Sequence, residues 1–187
     1  MKFLIAGLGN IGSEYQNTRH NIGFKILDAF AGASNITFSM LRYGSLSEYR
    51  YKGRIVVLLK PSTYMNLSGK AVSYWMKKER IPPENLLVIV DDTALPFGNL
   101  RLRPRGNDGG HNGLISITEK LGHQEYARLR FGIGSEFEQG MQVDYVLGKW
   151  TPEQEKMLPE RIKICQDIIH GFVTTGIDKT MNLYNNK

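Results

Sequence analysis

Short apolar runs and amphipathic stretches follow one another along the chain. Residues 2–7, KFLIAG, read as a buried strand. From Asn21 to Ala33, Ile22, Ile26, Leu27 and Phe30 fall at i, i+4, i+5 and i+8, which is one face of a helix. Ser45 to Tyr51 and Ile55 to Lys60 read as a hairpin turning at Lys52-Gly53, with Pro61 ending the second strand. A short loop, Ser62 to Leu67, leads into a helix over Ser68 to Arg80. Ala71, Val72, Trp75 and Met76 share one of its faces, and Pro82-Pro83 stops it. Leu86 to Val90, LLVIV, is apolar throughout, as a central parallel strand covered on both faces requires. Asn99 to Arg105 alternates, but Pro104 cannot donate to a ladder, which points to an edge. Asn112 to Leu121 predicts a short helix and Ala127 to Ile133 a strand. Thr151 to Phe172 predicts a long helix opened by Thr151-Pro152. There is no repeat, low-complexity tract or linker. The pattern predicts one α/β domain over residues 1–187, with a twisted, mixed, mostly parallel sheet and helices on both faces.

Composition supports that picture and adds a partner class. A chain of 187 residues fits one domain, and one this size buries roughly 70% of its unfolded surface without a staple. Cys165 is the only cysteine, so no internal disulfide framework exists and a reducing cytoplasm suits the chain. Its register with Ile162, Ile168, Ile169 and Phe172 reads as core packing rather than as a nucleophile. No apolar run approaches the ~20 residues needed to span a bilayer, and FLIA is too short for a signal peptide. Lys and Arg number 24 against 18 Asp and Glu, a net charge of +6 that favours an anionic partner, nucleic acid first. The bland alternative is solubility alone.

Gly7-x-Gly9-x-x-Gly12 has the spacing of a dinucleotide loop, yet the context is wrong. A dinucleotide fold starts its helix at the last glycines, so that the helix N-terminus faces the pyrophosphate. Here SEYQNTRH intervenes, and Asp28, at about the right distance for the ribose carboxylate, sits inside a helical pattern. Gly7 and Gly9 are read instead as letting the strand end turn tightly and expose backbone N–H groups. No G-x-S-x-G elbow or P-loop occurs. Histidines 20, 111, 123 and 170 are isolated in sequence, which argues against a zinc site.

What remains gathers where strands end. Asn10 and His20 follow the first strand, Asn66 follows Lys60, Asp91-Asp92 follows LLVIV, and His111-Asn112 follows GNDGG. An imidazole suits general-base work near neutral pH, and a carboxylate beside it fixes its tautomer. Amides can hold a peptide-like group or a developing oxyanion without adding charge. Each residue also has an ordinary role: Asn112 could cap its helix and Asp91 could make a turn. Arg101, Arg103 and Arg105 alternate on one strand, as do Arg128 and Arg130. Either set offers forks for phosphate or a charged guard on an edge strand.

The segments GLGNIGSEYQNTRHNIGF, KPSTYMNLSGKAV, VDDTALPFG, GGHNGL, RLRFGIG and DYVLGKW together resemble the bacterial peptidyl-tRNA hydrolase family, over essentially the whole chain. The resemblance implies hydrolysis of the ester between a peptide and the 3′ ribose of tRNA, with no metal or cofactor, by a cytoplasmic monomer. It implies that His20 is the catalytic base, that Asp91 orients it, and that Asn10, Asn66 and Asn112 hold the peptide and the reacting carbonyl or water. Tyr15 and His111 match residues lining the substrate site, and Arg103 and Arg130 match a pair clamping the tRNA 5′-phosphate. Residues 135–150 match a mobile flap. Three positions depart from the family's usual pattern. Ile11 stands where proline is common, Ala94 where an acid is common, and Arg103 where lysine is frequent. The rival reading is a non-catalytic RNA-binding module of the same fold.

Overall fold

A computed structural model describes residues 1–185 and residue 187. Seven strands form one sheet: β1 Lys2–Gly7, β2 Ser39–Leu41, β3 Gly44–Tyr51, β4 Arg54–Pro61, β5 Leu86–Asp92, β6 Leu100–Arg103 and β7 Ala127–Gly132. Their order is β2-β3-β4-β1-β5-β7-β6. The centre, β4-β1-β5-β7, is parallel, while β2, β3 and β6 join by antiparallel pairs. The helices are α1 Ile22–Ala33, α2 Ser68–Glu79, α3 Asn112–Leu121, α4 Gln142–Val146, α5 Pro152–Thr174 and α6 Ile177–Tyr184.

Alternation along the central strands feeds two cores. Phe3, Ile5, Val56, Leu58, Leu87 and Ile89 point to one face, where α1 and α5 pack through Ile22, Ile26, Phe30, Ile162 and Phe172. Leu4, Ala6, Val57, Leu59, Leu86 and Val88 point to the other, under Ala71, Val72 and Trp75 of α2 and Leu114 and Ile117 of α3. Continuous apolar runs such as LLVIV are therefore what a doubly covered sheet demands. Cys165 lies fully buried among the α5 residues, and burial pushes its thiol well above the usual range, as a packing residue requires.

Several boundaries follow the predicted chemistry. The hairpin turns on Lys52 and Gly53, both at positive φ (47° and 77°), the pairing a two-residue primed turn needs. Thr151 caps α5 in a full capping box with Gln154. The strand carrying Arg101 and Arg103 is the sheet edge, and Pro104 lies just beyond it. Other expectations are corrected. Arg19–Asn21 forms a 3₁₀ turn, so α1 begins at Ile22. Gly7 and Gly9 are not positive-φ turn residues. A Cβ on Gly7 would lie 2.3 Å from the Gly23 oxygen, and one on Gly9 would lie 2.9 Å from the Phe24 ring. They are small because α1 crosses the end of β1 at close range.

Arg128 overturns the reading of β7 as a strand with two outward arginines. β7 is interior to the sheet, and Arg128 is completely buried. Its guanidinium lies 4.3 Å from the Tyr126 ring centroid and donates to the carbonyls of Gln124, Tyr126 and Asn107. Among the described residues no carboxylate pairs with it, and burial draws its pKa below the usual arginine range. Arg128 thus pins Asn107, in the loop leading to His111. Arg128→Met leaves those carbonyls unsatisfied, so unfolding stability should fall by about 2–4 kcal/mol, read from urea melts. A loss under about 0.5 kcal/mol, the range of an ordinary surface change, would contradict that role.

Candidate active site

The carboxyl ends of β1, β4 and β5 lie side by side and, with the loops that leave them, carry Asn10, His20, Asn66 and Asp91, whereas His111 and Asn112 come from the loop after the antiparallel edge strand β6. Asp91 is the last residue but one of β5, with only 4% of its surface exposed, and it accepts from two histidines. His20 Nδ1 lies 2.9 Å from Oδ2 and 3.0 Å from Oδ1, and His111 Nε2 lies 2.9 Å from Oδ1. The two rings sit 5.0 Å apart, so histidines isolated in sequence meet in space. Burial alone would raise the Asp91 carboxyl. The His20 and His111 charges, with hydrogen bonds from both rings, overcome that and hold it well below the usual carboxylate range.

The partners assign the protons. His111 Nδ1 accepts from the Gly113 N–H at 3.1 Å, so its proton sits on Nε2, facing Asp91. An ionised carboxylate only accepts, so the neutral His20 ring carries its proton on Nδ1 and leaves Nε2 bare. The same inventory bears on metal binding. His20, Asp91 and His111 bring three potential ligand atoms within 4.8 Å of one another. A cation would need both facing nitrogens stripped of protons, and His111 would then lose its helix cap or become an imidazolate. The donor set fits a hydrogen-bonded relay, not a metal centre.

His111, not Asn112, caps α3. Asn112 is the first helical residue, exposed on the rim of a cleft of about 230 Å³. His20, Asp91, Asp92, His111 and Arg130 line that cleft, and Gln142, Val143 and Val146 of α4 form its far wall. Asn10 lines a second cleft, of about 960 Å³, together with Asn21, Phe24 and Lys60. Its Oδ1 accepts from the Met65 N–H at 2.7 Å, so its –NH2 group is free to donate. Asn66, next to Met65 and exposed, is thereby tied to Asn10 through one peptide unit. Tyr15 ends a 3₁₀ turn at Ser13–Tyr15, and its carbonyl accepts from Thr18.

The two predicted phosphate residues are unequal. Arg103 is exposed on β6, its Nη1 donating only to the Leu102 carbonyl. Arg130 is mostly buried, donates to the Asn107 carbonyl and lies 3.8 Å from Asp92. Sequence reasoning missed Asn21, whose side chain accepts from the Asn10 N–H and donates to the Asn10 carbonyl, both at 2.8 Å. Its position beside His20 was the available signal. Replacing Asn21 would release the loop on which Asn10 rides.

His111→Ala gives a signed pH test. Asp91 is held below its ordinary value of 3.8, so it stabilises the fold fully above that value, and the benefit is lost as pH falls toward the lower folded value. Removing His111 raises the Asp91 carboxyl and removes a cap worth about 1 kcal/mol. The variant should be less stable at pH 7, yet lose less than wild type between pH 7 and pH 3, measured by urea midpoints. An equal acid loss in both proteins would contradict the coupling.

A buried acid gripping an imidazole whose second nitrogen is bare, at the mouth of a cleft rimmed by amides and arginine, is the equipment of a water-activating hydrolase. Comparison with known proteins gives that class a family. The peptidyl-tRNA hydrolase family model matches residues 4–187. Peptidyl-tRNA hydrolase of Phocaeicola vulgatus is 60% identical over 187 residues, covering all of both chains. That of Porphyromonas gingivalis is 57% identical over 185 residues, covering 99% of this chain and all of the relative. The crystal structure of peptidyl-tRNA hydrolase from Acinetobacter baumannii superposes with a TM-score of 0.93 at 34% identity, over 98% of this chain and 94% of that one. The chain belongs to the peptidyl-tRNA hydrolase family.

Proposed function

We propose that this chain hydrolyses the ester joining a peptide to the 3′ ribose of tRNA, with His20 as general base. The observation that carries the reading is the His20–Asp91 pair with its bare Nε2. Water gives a proton to Nε2 as its oxygen attacks the ester carbonyl, and Asp91 steadies the imidazolium that forms. The tetrahedral intermediate then collapses. The proton passes from His20 to the departing ribose oxygen, leaving a peptide acid and free tRNA. The Asn10 –NH2 is the donor we assign to the acyl oxygen, because its Oδ1 is already engaged. Asn66, Asn112, Tyr15 and His111 complete the surroundings of the peptide. The carboxylates of the cleft are already engaged, Asp91 by both histidines, Asp92 by Arg130 and the Ala94 N–H, and Asp108 by the Gly110 N–H, so a free α-ammonium would give up its water for little repayment.

The deciding assay offers the protein an N-acetylated aminoacyl-tRNA and the same tRNA with a free amino group, with a metal chelator present. Rapid cleavage of the blocked ester and slow cleavage of the free one is expected. A non-catalytic RNA-binding module would bind both and cleave neither.

Arg103 and Arg130 take the tRNA phosphate in this reading. Arg103 is the exposed member, so Arg103→Ala should weaken tRNA binding and reduce the slope of log K against log salt by about 1. An unchanged slope would remove Arg103 from the phosphate contact. Among the described residues no helix is long and apolar enough to cross a membrane. We take the protein to act as a cytoplasmic monomer, and sedimentation at working concentration tests the second point.

A further inference from the structure

Arg19, the neighbour of His20, is an anomaly that the reaction does not explain. It is 8% exposed, and among the described residues no carboxylate pairs with it. Its Nε is buried without a hydrogen-bond partner. An unpaired buried cation costs stability, and an apolar side chain would pack more cheaply. What the guanidinium does touch belongs to one segment. Nη1 donates to the Tyr145 carbonyl at 2.9 Å, and the group lies 4.1 Å from the Tyr145 ring centroid. The Arg19 backbone N–H donates to the Gly148 carbonyl at 3.0 Å, and Thr18 bridges to Lys149. Gly148 leaves the room this needs: a Cβ there would meet Arg19 Nη1 at 2.8 Å.

The segment has little else to hold it. α4 is five residues long and contains no buried residue, and Val143 is 66% exposed. Low burial of this kind marks a locally weak element. Its other attachments are Tyr145 again, whose hydroxyl donates to the Ile133 carbonyl at 2.6 Å and whose ring meets Phe137 at 5.1 Å, and Val146, which packs half-buried against the core. Yet α4 supplies Gln142, Val143 and Val146 to the wall facing His20.

We infer that Arg19 is a positioning residue for substrate binding, a latch that stacks on Tyr145 and fastens the α4 wall to the segment carrying His20. The two sides of the cleft are thereby set at a fixed separation before substrate arrives. A cation is used because it can stack on a ring face and bond a carbonyl at once, which no apolar residue does. The inference rests on reading the cleft as the substrate site.

The test compares wild type with Arg19→Met and Tyr145→Leu by two readouts. Amide hydrogen exchange over residues 141–149 needs no substrate. It should speed at least ~10-fold in both variants, as it does when a local anchor is lost. In steady state with N-acetylated aminoacyl-tRNA, KM should rise ~10-fold while kcat changes less than ~3-fold, because the contact shapes the wall and not the proton transfer. The double variant should be no worse than the worse single, since both remove one contact. Arg19→Lys, which keeps the charge but not the flat fork, should not restore KM. If Arg19→Met does not fold, Tyr145→Leu carries both readouts alone. Unchanged exchange over α4, or a fall in kcat at constant KM, overturns the latch. Faster exchange in a protein whose wild type cleaves no ester would overturn the proposed function and leave the latch standing.

Discussion

Replacing His20 by alanine should lower kcat for ester cleavage by about 10²–10⁴-fold and leave tRNA affinity nearly unchanged, in single-turnover cleavage and filter-binding measurements. The size follows from what is removed. His20 lines the cleft with one ring nitrogen held by a buried carboxylate, which in the neutral ring leaves the other nitrogen to take a proton. Without it, water must attack unassisted, although the surrounding donors still hold the substrate. Binding survives because most tRNA affinity comes from phosphate contacts that lie elsewhere. An equal loss of binding and turnover would show that His20 holds the substrate and is not the base.

Asp91→Asn should cost at least as much, about 10³–10⁴-fold in kcat, though it changes almost no volume. Asp91 accepts two N–H donors, one from each histidine. With its oxygen at the Oδ1 position, which both rings face, an asparagine puts its –NH2 at the Oδ2 position, 2.9 Å from His20 Nδ1, where two N–H donors would meet and one imidazole must turn its proton away. His111 resists, because its Nδ1 is committed to the Gly113 N–H as the α3 cap. The change therefore falls on His20, whose proton moves to Nε2 and blocks the base. In the double variant Asp91→Asn with His111→Ala, the single acceptor is free for His20, and part of the rate should return despite the lost cap. A double variant slower than Asp91→Asn alone would contradict this tautomer argument.

The residues that bring this site together were legible to different degrees. LLVIV announced a strand covered on both faces, and its last residues announced an acid at the sheet's carboxyl edge, because both follow from local composition. The meeting of His20 with His111 across Asp91 was not readable from spacing, since the contacts span 71 and 20 residues of chain and depend on strand order. The resemblance to the family placed both histidines at the site but not the proton assignment. That assignment comes from the Gly113 N–H and the two-sided use of Asp91. Arg128 misled in a different way: strand alternation fixes which face a side chain takes, but Tyr126 and the 106–110 loop decide that this face is closed. α4 and β2 escaped notice because neither buries a residue, so neither leaves a hydrophobic period to find. α6 is short, and its contact with the core through Ile177, Met181 and Tyr184 is only partial.

The most direct test of the account is the pH dependence of single-turnover cleavage of an N-acetylated aminoacyl-tRNA, set beside the NMR titration of the His20 ring in the same protein. The account predicts that the acid limb of the rate coincides with protonation of His20 Nε2, and that this limb vanishes in His20→Ala along with most of the rate. An acid limb that persists unchanged when His20 is gone, or that titrates apart from the His20 ring, would contradict it.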